Sequence, residues 1–397
     1  MNSNVVTERT FAEIILANGG RLYRVGGCVR DMVRGIAPKD IDFCVVGMVK
    51  KNFKKLFPEA DECGKSFPVF RLVIDGRACE VAFARTERKV GRGYKGFKIA
   101  SNPKITIEED LFRRDTTVNS IAVDSLTGEV IDPFHGIRDI KNKILRATSQ
   151  HFVDDPIRAL RLAGQAARLD FAIDAETLIL ASVAADELGG EPAERVLAEL
   201  TKVLHDASAP SRFFKVLVQS NLLPCVFEEI ADLPPEQFAI AMDRLDSVAK
   251  ATSSPKLRFV SLSLVMDHQS IYHWNSRMTL PGDWLTASVT AGKIITLLEV
   301  PDPEKIVAAI DTLRRGSLTV AEFDIISQAI NLHIPALSPF KALLNLVQDV
   351  VPAELKGKDI GEWLRQKRSK VITEVWKKMM LDNGRKSDSI GFGGDKE

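Results

Sequence analysis

The sequence predicts an α+β protein: a head with a mixed β-sheet over residues 1–150, then an elongated all-helical remainder. Three observations predict it. Short β-rich runs closed by glycine or charge dominate the first part of the chain. After Phe152, apolar residues recur at helical spacing in one segment after another. A chain of 397 residues is also too long for one simple core, so two to four domains or subdomains are expected.

In chain order, RLYRVGG reads as a strand ending in glycines and DMVRGIA as a short helical piece. IDFCVVG, VFRLVIDG and ACEVAFA read as further strands, and IAVDSLTGEVID as two strands joined by a turn. Helical periodicity then runs through IRALRLAGQAARL, AETLILASVAADEL, ERVLAELTKVLH and FFKVLVQSNLL. Beyond these, Pro234, Pro235, Pro255, Pro281, Pro301, Pro303, Pro335 and Pro339 mark helix starts and loops. The last stretch, DNGRKSDSIGFGGDKE, lacks apolar periodicity and is expected to be disordered.

A hydrophobic fraction of 45% and a charged fraction of 27% are those of an ordinary globular protein. No apolar run is long enough to cross a bilayer, and the start lacks the basic-then-apolar layout of a signal peptide. The five cysteines form no CxxC pair, which suits reduced, mostly buried thiols in a cytoplasmic protein. Net charge is only +1, but its distribution is uneven. Between Arg85 and Lys98 stand Arg88, Lys89, Arg92 and Lys95 against a single acid, Glu87, with Tyr94 and Phe97 among them. A second basic stretch runs from Arg365 to Lys378. Each is either a solvated face or a set of phosphate contacts.

The segment richest in chemistry is GGCVRDMVRGIAPKDIDFCVVG, Gly26 to Gly47. Two glycines after a strand let the backbone approach a phosphate without an intervening side chain. Arg30, a helical turn beyond, can reach a triphosphate. Asp40 and Asp42, two apart at a strand entrance, would project to one face and could hold divalent metal. Glu80 in ACEVAFA is a candidate third carboxylate or an exposed strand charge.

This segment resembles motif A of the class II tRNA nucleotidyltransferases, the bacterial CCA-adding enzymes and poly(A) polymerases of the polymerase-β superfamily. RTERKVGRGYKGFK and EEDLFRRDTTVNSIAVD are similar to the family's flexible loop and motif B, and IDPFHGIRDIKNKILRAT to the segment closing the head. FVDDPIRALRLAGQAARLDF resembles the nucleobase-reading helix, and ERVLAELTKVL the neck helix after it. A weaker likeness returns in KGKDIGEWLRQKRSKVI, and the match is faint between about 214 and 350.

The resemblance implies a polymerase-β-like nucleotidyltransferase head over 1–150 and a helical neck with the base-reading motif over 151–213. A helical body would follow over 214–290, an RNA-binding helical tail over 291–381 and the disordered end over 382–397. It implies addition of C, C and A to the tRNA 3′ end from CTP and ATP, with Mg²⁺ held by Asp40 and Asp42. Gly27, Arg30, Arg114, Asp115 and Asn119 would bind the nucleotide's phosphates and sugar, with Arg113 a structural partner beside them. Asp155 and Arg158, three apart and so on one helix face, would replace a nucleic-acid template. Cytosine and adenine both present an amino donor beside a ring acceptor, which a carboxylate beside a guanidinium complements; guanine and uracil present the reverse. Arg161 continues that face.

One departure stands out: the family segment Arg-Phe-Ala-Ala-Arg reads here Gly164-Gln165-Ala166-Ala167-Arg168. It puts nucleotide affinity and the completeness of CCA addition in question. The tail's Arg365, Lys367, Arg368 and Lys370 would touch RNA phosphates. The histidines read as structural, so no phosphohydrolase activity is expected. Alternatives are a poly(A) polymerase, a partial A-adding or CC-adding enzyme, or an inactive tRNA-binding protein; CC-adding relatives lack the loop present here. No membrane or DNA partner and a monomeric state are expected.

Overall fold

The structure is a computed structural model and describes residues 6–63, 69–91, 93, 96–346 and 350–388, with backbone only over 378–388. It forms two compact units, Met1–Val203 with Arg212–Ala231, and Leu204–Ser211 with Asp232–Glu397.

In the first unit the strands are β1 (Arg21–Val25), β2 (Asp42–Val46), β3 (Asp61–Cys63), β4 (Val69–Ile74) and β5 (Arg77–Phe83). A separate hairpin, β6 (Thr86–Lys89) and β7 (Phe97–Ala100), precedes β8 (Ala122–Asp124) and β9 (Val130–Ile131). The sheet order is β3-β4-β5-β2-β1-β8-β9, with β2 and β5 parallel and every other neighbour antiparallel. Every strand read from the sequence is present, and the sheet is mixed as expected.

β2 is apolar after its first residue because both of its faces are covered. Phe43 and Val45 face a cluster built from Phe11, Phe53, Phe57, Phe70 and Phe83, with ring centroids 4.6 Å apart for Phe11–Phe57 and 4.9 Å for Phe53–Phe70. Cys44 faces the other way, with Tyr23, Val25, Ala84 and Ile105, and with Ile107 and Leu111 of the helix Ile107–Phe112. Alternation therefore puts Asp42 on the face that this helix covers. That is how the sheet positions the site.

Two helices of the neck, Ile157–Leu169 and Ala193–Asp206, follow the predicted spans closely. AETLILASVAADEL, read as one helix, divides at Ala184 into Ala175–Val183 and Ala185–Leu188, the second piece opening with Asp186 and Glu187. His205 is followed directly by Asp206, and the two bond each other at 2.8 Å on an exposed helix end.

The second unit is all helical. Pro235, Pro255 and Pro303 stand in the first turns of Pro235–Ala251, Pro255–Ser263 and Pro303–Arg315, where a missing N–H costs nothing. Ser254, Asp267, Asp302 and Thr319 cap the helices they precede. The boundary expected at 290 falls inside the helix Gly282–Leu297. Ala287, Ala291 and Ile294 of that helix share one core with Val248, Ile306, Phe323, Phe340 and Ile372. Periodicity identifies helices but not which of them share a core. The last helix, Lys358–Asp388, runs past 382, where disorder was expected; its Lys, Arg and Met residues are good helix formers. Residues 389–397 lie outside the described residues. Of the tail's basic residues, Arg365 and Lys370 are exposed, whereas Arg368 pairs with Asp311 at 3.0 Å and Lys367 lies over the Trp363 ring.

Arg258 is only 4% exposed, and its guanidinium donates to the carbonyls of Thr252, Leu204, Ala207 and Ala249 at 2.7–3.0 Å. A buried guanidinium and carbonyls near helix ends satisfy each other here. Arg258→Met is expected to lower stability by at least about 3 kcal/mol, read as a shift of the urea midpoint at constant m value.

Candidate active site

β1 ends at Val25, and the chain turns through Gly26 at φ 77°, ψ −136° into the helix Gly27–Val33. Only glycine adopts that conformation without strain, and a Cβ there would also lie 3.1 Å from Arg114 Nη1. Gly26, not singled out with Gly27 as a site residue, is thus the one that admits a second cation to the turn. Arg30 folds back over Gly27. Its Nε and Nη2 donate to Asp31 at 3.0 Å each, and its Nη1 donates to Asn119 Oδ1 at 2.8 Å. The guanidinium is therefore held in place on two sides.

Asp42 opens β2 and stands opposite Glu80 in the parallel register with β5. Glu80 also pairs with Arg71 at 3.0 Å. Asp40 lies ahead of the strand in a bend, so strand alternation is not what aligns it with Asp42. The run Lys39-Asp40-Ile41 stays outside the ladder because pairing begins only at Asp42. Surrounding protein pushes the Asp42 carboxyl above the ordinary aspartate value. Arg114 opposes this, and the charges of Glu80 and Asp40 add to it. Hard oxygen donors under mutual repulsion suit a divalent cation, which would relieve both effects.

Motif B is built around Asp110. The helix Ile107–Phe112 starts with a capping box, Thr106 and Glu109, and places Asp110 fully inside the protein. Asp110 accepts from Arg113 at 2.7 Å, from Arg114 at 3.0 Å and from the Arg85 amide at 3.2 Å. Burial disfavours its charge, yet Arg114 and Arg113 prevail and hold the carboxyl below the usual range. Arg113 and Arg114 thus sit at the end of this helix. Asp110 was missed, although its spacing of three and four from the two arginines is a sequence signal. Asp115 follows, with Oδ1 accepting from the Thr116 amide at 2.8 Å and from Asn119 Nδ2 at 3.2 Å.

The basic loop Arg85–Lys98 folds as the β6–β7 hairpin, with Arg92, Tyr94 and Lys95 outside the described residues. Its single acid, Glu87, pairs with Arg85 at 2.8 Å, Arg113 at 2.9 Å and Arg158 at 3.4 Å. Burial works against its ionisation, but Arg113 and Arg85 lower its pKa. Lys89 and the Gly93 amide bond Glu187 at 2.9 Å. A lone acid among cations was the visible hint to this junction.

Asp155 and Arg158 do not share a helix face. The helix begins at Ile157 after Pro156, which biases the residue before it away from the helical region; Asp155 is extended at φ −111°, ψ 107°. Asp155 accepts from Arg195 at 3.3 Å, while Arg158 donates to the His151 carbonyl and to Glu87. Arg161 pairs with Glu199 at 3.4 Å. Gly164 packs against the helix Ala193–Asp206: a Cβ there would meet Val203 Cγ2 at 3.4 Å. All ten expected site residues therefore lie in the first unit, with Arg30, Asn119 and Asp115 bonded in one chain and Arg158 joined through Glu87 to Arg113.

Two opposite pH dependences follow. Asp110 has a depressed folded pKa, so its contribution is present above about pH 4 and lost as pH falls through the folded value. Asp110→Asn is expected to cost about 3–5 kcal/mol at pH 7 and to flatten the acid limb of the stability curve. Asp42 has a raised folded pKa, so its contribution is greatest below about pH 4 and declines as pH rises through the folded value. Asp42→Asn is expected to raise Tm at pH 7 in metal-free buffer and to give no gain at pH 3.5; scanning calorimetry at the two pH values reads both.

Residues 22–146 match the family model described as poly A polymerase head domain, and residues 170–233 match the probable RNA and SrmB- binding site of polymerase A. The CCA-adding enzyme of Coxiella burnetii is 38% identical over 281 residues, 69% of this chain and 70% of that protein. The CCA-adding enzyme of Marinobacter nauticus is 36% identical over 292 residues, 71% of this chain and 75% of that protein. The solved Thermotoga maritima CCA-adding enzyme complexed with tRNA has a similar fold, with a TM-score of 0.65 at 21% identity, covering 91% of this chain and 90% of that one. With a mixed-sheet head and a helical remainder in the same order, the chain belongs to the family of CCA-adding enzymes and is a nucleotidyltransferase.

Proposed function

We propose that this protein adds C, C and A to the 3′ end of tRNA from CTP and ATP, releasing pyrophosphate, with Asp40 and Asp42 holding Mg²⁺. The observation that carries the reading is the common frame of base-facing and phosphate-facing groups. Asp155 and Arg158 sit at the start of the neck helix whose Gln165 bonds Asp115 of the head. That helix therefore ties the groups that would select a base to those that would hold its sugar and phosphates.

Arg30 and Arg114 supply fixed positive charge beside a glycine turn, which suits a triphosphate. When bound, the divalent ion lowers the pKa of the RNA 3′-hydroxyl and offsets charge on the α-phosphate as pyrophosphate leaves. Asp155 would accept from the amino group of cytosine or adenine, and Arg158 would donate to the adjoining ring nitrogen. Their contacts to Arg195 and Glu87 are long, at 3.3–3.4 Å, while a further bond from Arg158 to the His151 carbonyl fixes its guanidinium. Guanine and uracil would set carbonyl against carboxylate and N–H against guanidinium. The reading includes a monomeric cytoplasmic enzyme; among the described residues no helix is long and apolar enough to cross a membrane.

The test offers purified protein tRNAs ending before CCA, after C and after CC, with each NTP supplied separately. C is expected on the first two and A on the third, with EDTA stopping addition and Mg²⁺ restoring it. Incorporation of neither CMP nor AMP overturns the reading. Asp42→Ala is expected to reduce addition by at least about a hundredfold, since removing a metal ligand removes transition-state charge stabilisation worth several kcal/mol. Arg158→Ala is expected to admit GMP or UMP; strict selection of C and A by this variant would sink the template assignment.

A further inference from the structure

Gln165 stands on the helix Ile157–Leu169 among Leu162, Ala163, Ala166 and Ala167, and only 2% of it is exposed. A buried primary amide on an otherwise apolar stretch is costly unless both of its ends are used. Here both are. Thr116 Oγ1 donates to Gln165 Oε1 at 2.7 Å, and Gln165 Nε2 donates to Asp115 Oδ2 at 2.9 Å. The orientation of the amide follows from chemistry, because an ionised carboxylate only accepts and so must face the nitrogen.

We infer that Gln165 is a positioning residue that aims Asp115 at the sugar of the incoming nucleotide and so supports preference for a ribonucleotide. This rests on the reading of Asp115 as a nucleotide-binding residue given under Proposed function. The other carboxylate oxygen, Oδ1, is already occupied by the Thr116 amide and by Asn119, whose own Oδ1 accepts from Arg30. Among the described residues Oδ2 accepts from Gln165, which leaves a second lone pair to accept a hydroxyl. Fixing that oxygen fixes the direction from which a sugar hydroxyl is accepted. The phenylalanine of the family segment has no donor for this purpose, so the device belongs to this chain's Gly164-Gln165 sequence.

The test compares wild type, Gln165→Leu and Gln165→Glu in the full chain on tRNA ending in CC, with ATP and dATP titrated separately. ATP affinity is also measured by equilibrium binding without tRNA. Gln165→Leu is expected to raise KM for ATP about tenfold, the worth of one hydrogen bond to a charged group, with kcat within about twofold and a reduced preference for ATP over dATP. Gln165→Glu is expected to be worse at pH 8 and to recover partly at pH 6. There the facing carboxyls share a proton, and the glutamic acid can donate to Asp115. A packing role alone would lower Tm and leave KM, the ATP/dATP ratio and this pH recovery unmoved. Folded Gln165→Leu with unchanged KM and unchanged ATP/dATP ratio overturns the inference. If Gln165→Leu does not fold, Thr116→Val frees the amide's other end and is held to the same outcomes. If wild type transfers nothing, the functional reading fails, and the ATP-binding comparison by itself decides whether Gln165 matters.

Discussion

With no water left around it, the carboxylate of Asp110 depends on the guanidiniums of Arg113 and Arg114 and on the Arg85 amide to offset its burial. Those three residues reach in different directions. Arg114 passes beside the Gly26 turn, Arg113 continues to Glu87 and thence to Arg158, and Arg85 begins the hairpin. One buried charge therefore locks motif B, the glycine turn and the basic hairpin into a single arrangement. Without it, the cations would repel each other in a poorly solvated region.

The same region separates charge by sign. Around Asp42 the like charges of Asp40 and Glu80 accumulate, and its proton is held more tightly than usual. A few residues away, Arg30 and Arg114 are held by carboxylates that do not fully surround them. A divalent ion and a polyphosphate are the complementary pair for such a surface, and binding both neutralises each half. The protein thus carries its electrostatic strain before any ligand arrives, which is the condition for charge stabilisation without reorganisation.

Much of this was legible in the sequence. Strands β1, β2, β4, β5, β8 and β9, the helix-opening prolines and the helices Ile157–Leu169 and Ala193–Asp206 follow from alternation, periodicity and breaker residues, whereas the short β3 and the β6–β7 hairpin do not. What was not legible depended on backbone detail or on contacts between distant segments. Asp155 leaves the helix because Pro156 follows it, a local rule that the motif's resemblance overshadowed. Asp40 lies before the strand because ladder pairing, invisible in one segment, begins at Asp42. Gln165 could be noticed as a departure, but its partners lie 49 and 50 residues away and only the fold brings them together. The body and tail read as separate because periodicity does not reveal a shared core.

The strand order also governs when the head can become complete as the chain is made. β1 pairs Tyr23 with Asp124, so the sheet stays open on that side until β8 has left the ribosome. The intervening strands can pair among themselves, but the turn at Gly26 keeps one flank unsupported because its amide bonds the Ile121 carbonyl. Closing so wide a loop is entropically slow, whereas the second unit assembles from neighbouring helices. The glycine turn and the carboxylates of β2 are therefore translated early but gain their final geometry late, once the segment that carries Arg114 and Asn119 has been joined to the sheet edge.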